Sequence, residues 1–201
     1  ELRYGENPHQ KASFYLSPDT KKNWIQHHGK KLSYNNYYDI ETANAIVNEF
    51  NDTACVIIKH SNPCGFSTGK TLKEGYLSAV STDPVSYFGG IVAFNRQVDL
   101  AVAIELNKSF LECIVAPSFS DQSLTELKKK KNLRLITMNS DKQQNKKLIR
   151  SAFNGFLIQD KDDMKEDLSN FEVVSEIQPD NNQLKALYLS WKLVKYVKSN
   201  A

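Results

Sequence analysis

Residues 54–65 read ACVIIKHSNPCG, and this stretch decides the fold. Its first five residues are all apolar and have the length of a strand, which is typical of a strand buried on both faces of a parallel sheet. Lys59 and His60 end the apolar run, and residues 61–65 have the composition of a turn. A helix is predicted next, over residues 71–80, with Thr71 as its cap. The predicted order is therefore strand, loop, helix.

The sequence around this stretch alternates between helical and strand patterns. Before it, apolar residues recur at helical spacing over residues 39–50. After it, the pattern predicts strands at residues 91–94, 113–116 and 133–138, separated by helices at residues 100–110 and from Asp121 onward. Such alternation implies right-handed crossovers, and hence an α/β fold with a largely parallel sheet covered by helices.

The sequence changes character after a predicted core of about residues 30–138. An irregular connector is expected over about residues 139–180, because this part is first polar and later acidic, with a short apolar stretch at residues 155–158. A last helix is predicted over about residues 182–198. Its apolar side chains share one helical face, which we expect to pack onto the sheet. They are Leu184, Leu187, Trp191 and Val194.

Composition limits the class of protein. With 201 residues, 40% of them hydrophobic, the chain is long enough for one large domain or two small ones. No stretch approaches the roughly 18 apolar residues that cross a bilayer, and the first residues do not resemble a signal peptide. We therefore expect a soluble, cytoplasmic protein. The chain lacks an initiator Met, so we also expect it to be a piece of a longer protein.

Cysteine and charge usage argue against several kinds of site. The three cysteines, Cys55, Cys64 and Cys113, are an odd number without CxxC spacing, which argues against a disulfide framework and a zinc cluster. The formal charge is only +3, and the basic run at residues 128–131 falls at the end of a predicted helix, where cations favour the helix dipole. We interpret this run as a solvated helix end, with a nucleic-acid patch as the alternative.

Lys59 and His60 are the first candidates for chemistry. In a parallel α/β sheet, ligands bind beyond the carboxyl ends of the strands, and these two residues directly follow an apolar run. A histidine titrates near neutral pH and can take a proton from a weakly acidic amine, while a neighbouring ammonium favours its neutral form. The alternative is that both are solvated residues that close a strand.

Two further motifs have both a functional and an ordinary interpretation. The glycines of Phe88-Gly89-Gly90 would let a ligand approach the backbone closely, but paired glycines are also common in turns. Arg3 and Tyr4 can bind a phosphate through a charge-assisted fork and a phenol. The alternative is that they belong to an ordinary N-terminal loop.

The spacing around Pro63 and Cys64 argues against a catalytic zinc. The zinc-deaminase signature would need a second cysteine at Ser67 and a His-x-Glu partner, and the sequence has neither. The phosphate-binding and nucleophile motifs GxxxxGK[ST], GxGxxG and GxSxG are also missing from the sequence. We therefore predict no catalytic metal.

Four segments, taken in order, resemble the successive signatures of one family. They are LRYGENPHQ at residues 2–10, IKHSNPCG at 58–65, SYFGGI at 86–91 and IVAPSF at 114–119. Four ordered segments are far more specific than any one of them. The whole chain, residues 1–201, resembles the first half of the AICAR transformylase domain, and the resemblance includes KYVKSNA at residues 195–201.

This resemblance implies a fold and an activity. The family domain is a cytidine-deaminase-like α/β/α sandwich, and its active site is shared between the subunits of a homodimer. The domain transfers a formyl group from the co-substrate 10-formyltetrahydrofolate to the 5-amino group of AICAR, giving FAICAR and tetrahydrofolate. The implied partners are these small molecules and a second copy, with no nucleic acid and no membrane. The family's IMP cyclohydrolase domain is expected to be absent here, and the isolated piece is expected to be inactive.

Residue roles follow from the same resemblance. His60 matches the base near the AICAR amine, and Lys59 matches the group that holds His60 in its working state and assists proton delivery to the folate. Asn200 matches an asparagine expected to hydrogen-bond the formyl oxygen, with a helix cap as the alternative. The residues that match substrate-binding positions are Arg3, Tyr4, Asn36, Gly89 and Glu112.

Three other functions stay open at the level of the sequence. The first is a non-catalytic nucleotide-binding module of the same fold, which a measurement of turnover would separate from an enzyme. The second is a zinc-dependent deaminase on a related fold, which metal analysis would decide. The third is a nucleic-acid binder that uses residues 128–131, and this function would give steeply salt-dependent DNA binding.

Overall fold

The computed structural model describes residues 1–16, 18, 21–139, 147–164 and 171–198. The chain divides into two compact units, Glu1–Ser140 and Asp141–Ala201. Among the described residues, the first unit contains a central sheet and four helices, and the second contains a hairpin and one helix. The candidate site residues up to Glu112 all belong to the first unit.

A six-stranded sheet forms the centre of the first unit. In chain order its strands are β1 (Trp24–His28), β2 (Ala54–Lys59), β3 (Asn62–Thr68), β4 (Ile91–Phe94), β5 (Cys113–Ala116) and β6 (Arg134–Met138). In space their order is β1-β6-β5-β4-β2-β3. Strands β4, β5 and β6 are mutually parallel, whereas β2 is antiparallel to both of its neighbours and β1 is antiparallel to β6.

The sheet is mixed, which corrects the predicted order of strand, loop and helix. Residues 61–65, interpreted as a loop that leads to a helix, are the end of a tight hairpin turn and the beginning of β3. Because the hairpin reverses the chain before the next helix, β2 runs against β4. In the described sheet, strands β3, β4, β5 and β6 share one direction, as a largely parallel sheet requires, whereas β1 and β2 run the other way.

Each helix of the first unit begins at a polar cap. The helices are α1 (Tyr34–Val47), α2 (Leu72–Thr82), α3 (Leu100–Leu106) and α4 (Asp121–Leu127), and their caps are Ser33, Thr71, Asp99 and Ser120. The predicted cap at Thr71 is confirmed, and its hydroxyl accepts from the Glu74 N–H at 3.2 Å. The helix predicted to reach residue 110 ends at Leu106, because Asn107 is already its C-terminal cap.

Helices cover both faces of the sheet. On one face, α2, α3 and α4 contribute buried side chains to a hydrophobic core that includes Cys55 and Ile57 of β2. Because side chains alternate along a strand, Val56 and Ile58 face the other way, where α1 packs against β2, β4 and β5. Strand β2 is therefore buried on both faces, as the apolar run over residues 54–58 predicts.

The described residues of the second unit form strands β7 (Lys147–Ala152) and β8 (Gly155–Asp160) and helix α5 (Asn181–Val194). The hairpin corrects the expectation of an irregular connector, and its turn closes through Phe153 and Asn154, which both have positive φ. The last helix is confirmed, but none of its residues is buried. The packing of its apolar face onto the sheet stays a prediction. None of the described helices is both long and apolar enough to span a membrane.

Candidate functional site

The β2–β3 hairpin carries Lys59 and His60 at the end of a buried strand, as predicted. Lys59 pairs with Asn62 across the hairpin, and the two residues between them form the turn. His60 and Ser61 have φ values of 52° and 61°, which is the geometry of a type I′ turn. Neither is Gly or Asn, the residues that adopt this conformation most readily, so the backbone is strained here. His60 is exposed at this turn, whereas Ser61 is buried.

The Lys59 ammonium is held against the turn that precedes β4. Its Nζ donates a hydrogen bond to the carbonyl oxygen of Phe88 at 2.5 Å. Gly89 has a φ of 71°, and a Cβ atom placed on it would lie 3.3 Å from Lys59 Nζ. The positive φ favours glycine here, and a side chain at this position would also crowd the ammonium. The structure thus brings the predicted residue Gly89 next to Lys59.

Two aromatic rings lie beside this turn. The ring centres of Phe88 and Phe110 are 5.3 Å apart, and the two side chains are 57% and 46% exposed. The Gly89 N–H donates to the Phe110 carbonyl oxygen at 2.8 Å, which ties the turn to the segment before β5. The arrangement places an apolar surface next to a cation, and such a surface suits a planar ligand that carries polar groups.

These groups lie together at one end of the strands, which we call the hairpin edge of the sheet. A fully parallel sheet would not have predicted at which end of the strands they lie. Because β2 is antiparallel to β4, its carboxyl end meets the amino end of β4, where Ile58 pairs with Ile91. Ile91 in turn pairs with Cys113 at the start of β5. Lys59 and Glu112 therefore lie at the same edge, which is the amino-terminal edge of the three parallel strands.

A polar hollow lies at the opposite edge of the sheet. It is lined by residues 51–53 and 68–70 and by Arg96. The Arg96 guanidinium donates to the carbonyl oxygens of Asn51 and Asn95, so it joins two chain segments there. Neither Lys59 nor His60 borders this hollow, and we place the candidate site at the hairpin edge because the predicted reactive side chains lie there.

Glu112 forms an ion pair with a buried arginine. Arg134 Nη1 lies 2.5 Å from the Glu112 carboxylate, and the two side chains are 3% and 38% exposed respectively. The same nitrogen also donates to the Glu112 carbonyl oxygen at 3.3 Å. The described part of the chain gives no hydrogen-bond partner to the buried Arg134 Nε. The predicted substrate-binding carboxylate is therefore held in place by Arg134.

This ion pair predicts an asymmetric effect of its two truncations on stability. Glu112→Ala leaves the Arg134 guanidinium buried without its counter-ion, and we expect the free energy of unfolding to fall by about 2 to 4 kcal/mol. Arg134→Met leaves a partly exposed carboxylate that water can solvate, so we expect a loss of about 1 kcal/mol. Urea unfolding followed by circular dichroism measures both, and equal losses would contradict this interpretation of the pair.

The N-terminal motif is anchored beside the start of α1. The Arg3 N–H donates to the Leu32 carbonyl oxygen at 3.0 Å, and the Tyr34 N–H donates to the Tyr4 carbonyl oxygen at 3.1 Å. The guanidinium carbon of Arg3 lies 5.1 Å from the centre of the Tyr4 ring. Arg3 itself is exposed. The backbone of the two predicted phosphate-binding residues is thus fixed, while the Arg3 cation faces solvent.

Of the two asparagines predicted to contact the substrates, the structure describes only Asn36. The side-chain oxygen of Asn36 accepts from the Ser33 N–H at 3.1 Å, and the Asn36 N–H donates to the Ser33 hydroxyl at 3.4 Å. This capping box gives Asn36 a structural role at the start of α1, and its contact with a substrate stays a prediction. Asn200 lies outside the residues that the structure describes.

The cysteines are free thiols, and burial raises the pKa of each. At half-buried Cys64, burial and the Asp83 carboxylate raise the thiol pKa, although the Lys59 ammonium opposes them. Cys55 and Cys113 are fully buried, which raises the pKa of both thiols. All three are therefore protonated at neutral pH. In the described ranges, no group of three or more His, Cys, Asp or Glu side chains is placed to hold a metal ion.

Comparison with known proteins decides the family. Residues 1–201 match the family described as the AICARFT/IMPCHase bienzyme. The chain belongs to this family. It is 48% identical over 206 residues to the bifunctional purine biosynthesis protein PurH of Bacillus cereus (strain 03BB102), and 48% identical over 204 residues to the protein of that name from Listeria monocytogenes. The identity to the Halalkalibacterium halodurans protein is also 48%, over 206 residues. Each match covers 100% of this chain and 40% of the relative.

Membership of the AICARFT/IMPCHase family confirms the resemblance seen in the sequence. The chain spans 40% of the length of the curated relatives it matches. In this family member, one sheet edge brings together Lys59, His60, Gly89 and Glu112, and the roles of these residues stay predictions. Sequence reasoning missed the groups that support them, namely Ser61, Phe110 and Arg134. A charge inside the apolar pattern of residues 133–138 was the signal that could have indicated Arg134.

Proposed function

We propose that this chain provides part of the catalytic centre that transfers a formyl group from 10-formyltetrahydrofolate to the 5-amino group of AICAR. The products are FAICAR and tetrahydrofolate. The observation that carries the proposal is the convergence of Lys59, His60 and Gly89 at one sheet edge. It is supported by the match of the whole chain to the AICARFT/IMPCHase family.

His60 is proposed as the base that removes a proton from the AICAR amine. This amine is a poor nucleophile because its lone pair is delocalised into the imidazole carboxamide. Removal of the proton while the new N–C bond forms avoids a positive charge on the nitrogen. His60 is exposed at the tip of a two-residue turn, where a substrate can reach its ring. The histidine therefore has the chemistry and the access that the step requires.

Lys59 is proposed to act on the folate side of the reaction. The folate nitrogen needs a proton when its bond to the formyl carbon breaks, and an ammonium group can supply one. The hydrogen bond to the Phe88 carbonyl oxygen fixes the position of the Lys59 ammonium at the sheet edge. By the family resemblance, Lys59 would also hold the adjacent His60 in its working state. Lys59 would thus support both proton transfers.

Substrate positioning is proposed for the other matched residues. Arg3 and Tyr4 would bind the AICAR phosphate, because a guanidinium fork and a phenol suit a phosphate dianion. Gly89 and Glu112 would contact the nucleotide base and its substituents, with Asn36 contributing from the start of α1. Asn200 would hydrogen-bond the formyl oxygen as negative charge develops on it.

The assembly and the wider fold belong to the same proposal. A homodimer with a shared active site would supply groups from a second copy, and the protein would act in the cytoplasm. A cytidine-deaminase-like α/β/α sandwich is proposed as the fold class. It is supported by helices on both faces of a six-stranded mixed sheet.

Arg3→Ala is expected to raise the KM for AICAR by about 10-fold or more while lowering kcat much less. The exposed guanidinium would bind the non-reacting phosphate equally in the ground state and the transition state, and loss of such binding changes KM. Steady-state kinetics on the full-length protein that contains this chain measures both constants. Arg96→Ala, at the opposite edge of the sheet, is the matched control. An unchanged KM in Arg3→Ala would refute the phosphate assignment.

The experiment that tests the proposed function is a formyl-transfer assay with the full-length protein. AICAR and 10-formyltetrahydrofolate are supplied, and FAICAR formation is followed. The proposal expects turnover with both substrates and none when either is omitted. Binding of AICAR without turnover would instead indicate the non-catalytic nucleotide-binding module.

A further inference from the structure

The turn that carries His60 has an unfavourable residue at its second position. A type I′ turn needs positive φ at both central residues, and glycine is strongly preferred at the second. Here that position is Ser61, with a φ of 61°. A serine held in this conformation costs free energy, and such strain persists only where surrounding contacts fix it. The serine side chain therefore calls for an explanation.

The Ser61 side chain is tied to helix α1. Ser61 is only 5% exposed, although the preceding residue His60 is exposed. Its hydroxyl donates to Asp39 Oδ1 at 2.8 Å. Asp39 belongs to α1, which is fixed at its start by the Ser33 capping box and packs against β2 and β4. The hydroxyl thus connects the strained turn to a rigid element.

A second hydrogen bond supports the same turn from the strand side. Asn62 Nδ2 donates to the His60 carbonyl oxygen at 3.3 Å. This contact and the Ser61–Asp39 contact are made by the two residues that directly follow His60. Side-chain hydrogen bonds on both following residues therefore support a positive φ at His60 that its own backbone disfavours.

We propose that Ser61 and Asp39 are positioning residues that fix the direction of the His60 imidazole. This inference rests on the proposed role of His60 as the base. Glycine at position 61 would adopt the turn with less strain but would leave it free to move. The serine makes the turn less stable than glycine would, but its hydroxyl attaches the turn to α1. Neither Ser61 nor Asp39 is proposed to exchange protons with a substrate.

Ser61→Gly separates a positioning role from a structural one. The variant relieves the strain at positive φ, so we expect the full-length protein to be as stable as the wild type or more stable. It also removes the tether, so we expect kcat for formyl transfer to fall by about 10- to 100-fold, because small misplacement of a catalytic group has effects of this size. The KM for AICAR is expected to change by less than about 3-fold.

Asp39 provides the second arm of the test. Asp39→Asn keeps an oxygen that can accept the Ser61 hydroxyl, so we expect it to retain most of the turnover. Asp39→Ala removes the acceptor and should lower kcat as Ser61→Gly does. The double variant, Ser61→Gly with Asp39→Ala, should be no worse than the more severe single variant, because both remove one contact. Ser67→Ala on β3, whose hydroxyl binds the Thr68 carbonyl oxygen, is the control and should keep wild-type kinetics.

The outcomes distinguish this inference from the proposed function. If His60→Ala lowers turnover and Ser61→Gly does not, the positioning role is wrong while the base assignment stands. If His60→Ala keeps normal turnover, the base assignment itself is wrong. A Ser61→Gly variant that loses stability together with activity would also overturn the inference, because it would show a merely structural serine.

Discussion

His60→Ala in the full-length protein is expected to lower the turnover of formyl transfer by about 100- to 10,000-fold, the usual range for a positioned acid or base. The reason is that without the imidazole the AICAR amine must lose its proton to water. AICAR affinity should change much less, because a group that acts mainly in the transition state contributes little to ground-state binding. Saturation kinetics combined with calorimetric titration of AICAR measures the two effects separately.

The control for this variant is a second exposed histidine of the same sheet. His27 lies on edge strand β1, and its ring nitrogen is 2.7 Å from the Thr137 hydroxyl. His27→Ala should leave turnover within about 2-fold of the wild type, because surface substitutions away from a site usually have small effects. Near-normal turnover in His60→Ala would show that the base is a different residue.

Lys59→Ala is expected to be comparably severe, with a loss of turnover of about 100-fold or more. The variant removes the cation next to His60 and the donor that holds the Phe88 carbonyl oxygen. Combining it with His60→Ala should cost less than the product of the two single effects, because groups that act as a unit are not additive. Single-turnover formyl transfer with all three variants measures this coupling.

A matched lysine controls for the loss of charge. Lys73 on α2 forms an ion pair with Glu105 at 2.9 Å. Lys73→Ala removes a positive charge from the same unit and should leave turnover nearly unchanged. Effects of Lys59→Ala and His60→Ala that multiply in full would mean that the two residues act independently, contrary to the proposed shared centre.

The central strands were predictable because they consist of apolar residues, and such residues are typical of buried strands. The apolar runs at residues 91–94 and 113–116 are strands β4 and β5 with the predicted bounds. Such runs cannot be placed elsewhere without exposing apolar surface. The cap at Thr71 was equally local, because one hydroxyl and the acidic residue three positions later define a helix start.

Strand β3 was missed because its residues favour a turn when taken alone. Pro63 and Gly65 are residues typical of turns. However, β3 is an edge strand, where a proline is tolerated although it has no N–H to donate to a neighbouring strand. Gly65 is there for a packing reason, since a Cβ atom on it would lie 2.3 Å from the Ala79 carbonyl oxygen of α2. Tertiary contact with the helix, which a local pattern does not contain, decides this strand.

The sequence names the residues of the candidate site but does not indicate at which end of the strands they lie. Lys59 and His60 follow β2 as expected, but the reversal at the hairpin moves them to the amino-terminal edge of the parallel strands. The partners of the predicted residues come from distant parts of the chain. Arg134 holds Glu112 across 22 positions, and Asp39 holds Ser61 across 22 positions as well. Pairings over such distances follow from the fold and not from spacing.

The most direct test of the central claim is the position of AICAR in a crystal structure of the full-length protein with AICAR bound. The account predicts that the 5-amino nitrogen lies about 2.6 to 3.2 Å from a ring nitrogen of His60, or one water molecule away, as a general base requires. It also predicts that the phosphate contacts Arg3. AICAR bound at the opposite edge, in the hollow beside Lys70 and Arg96, with no contact to the hairpin, would contradict it.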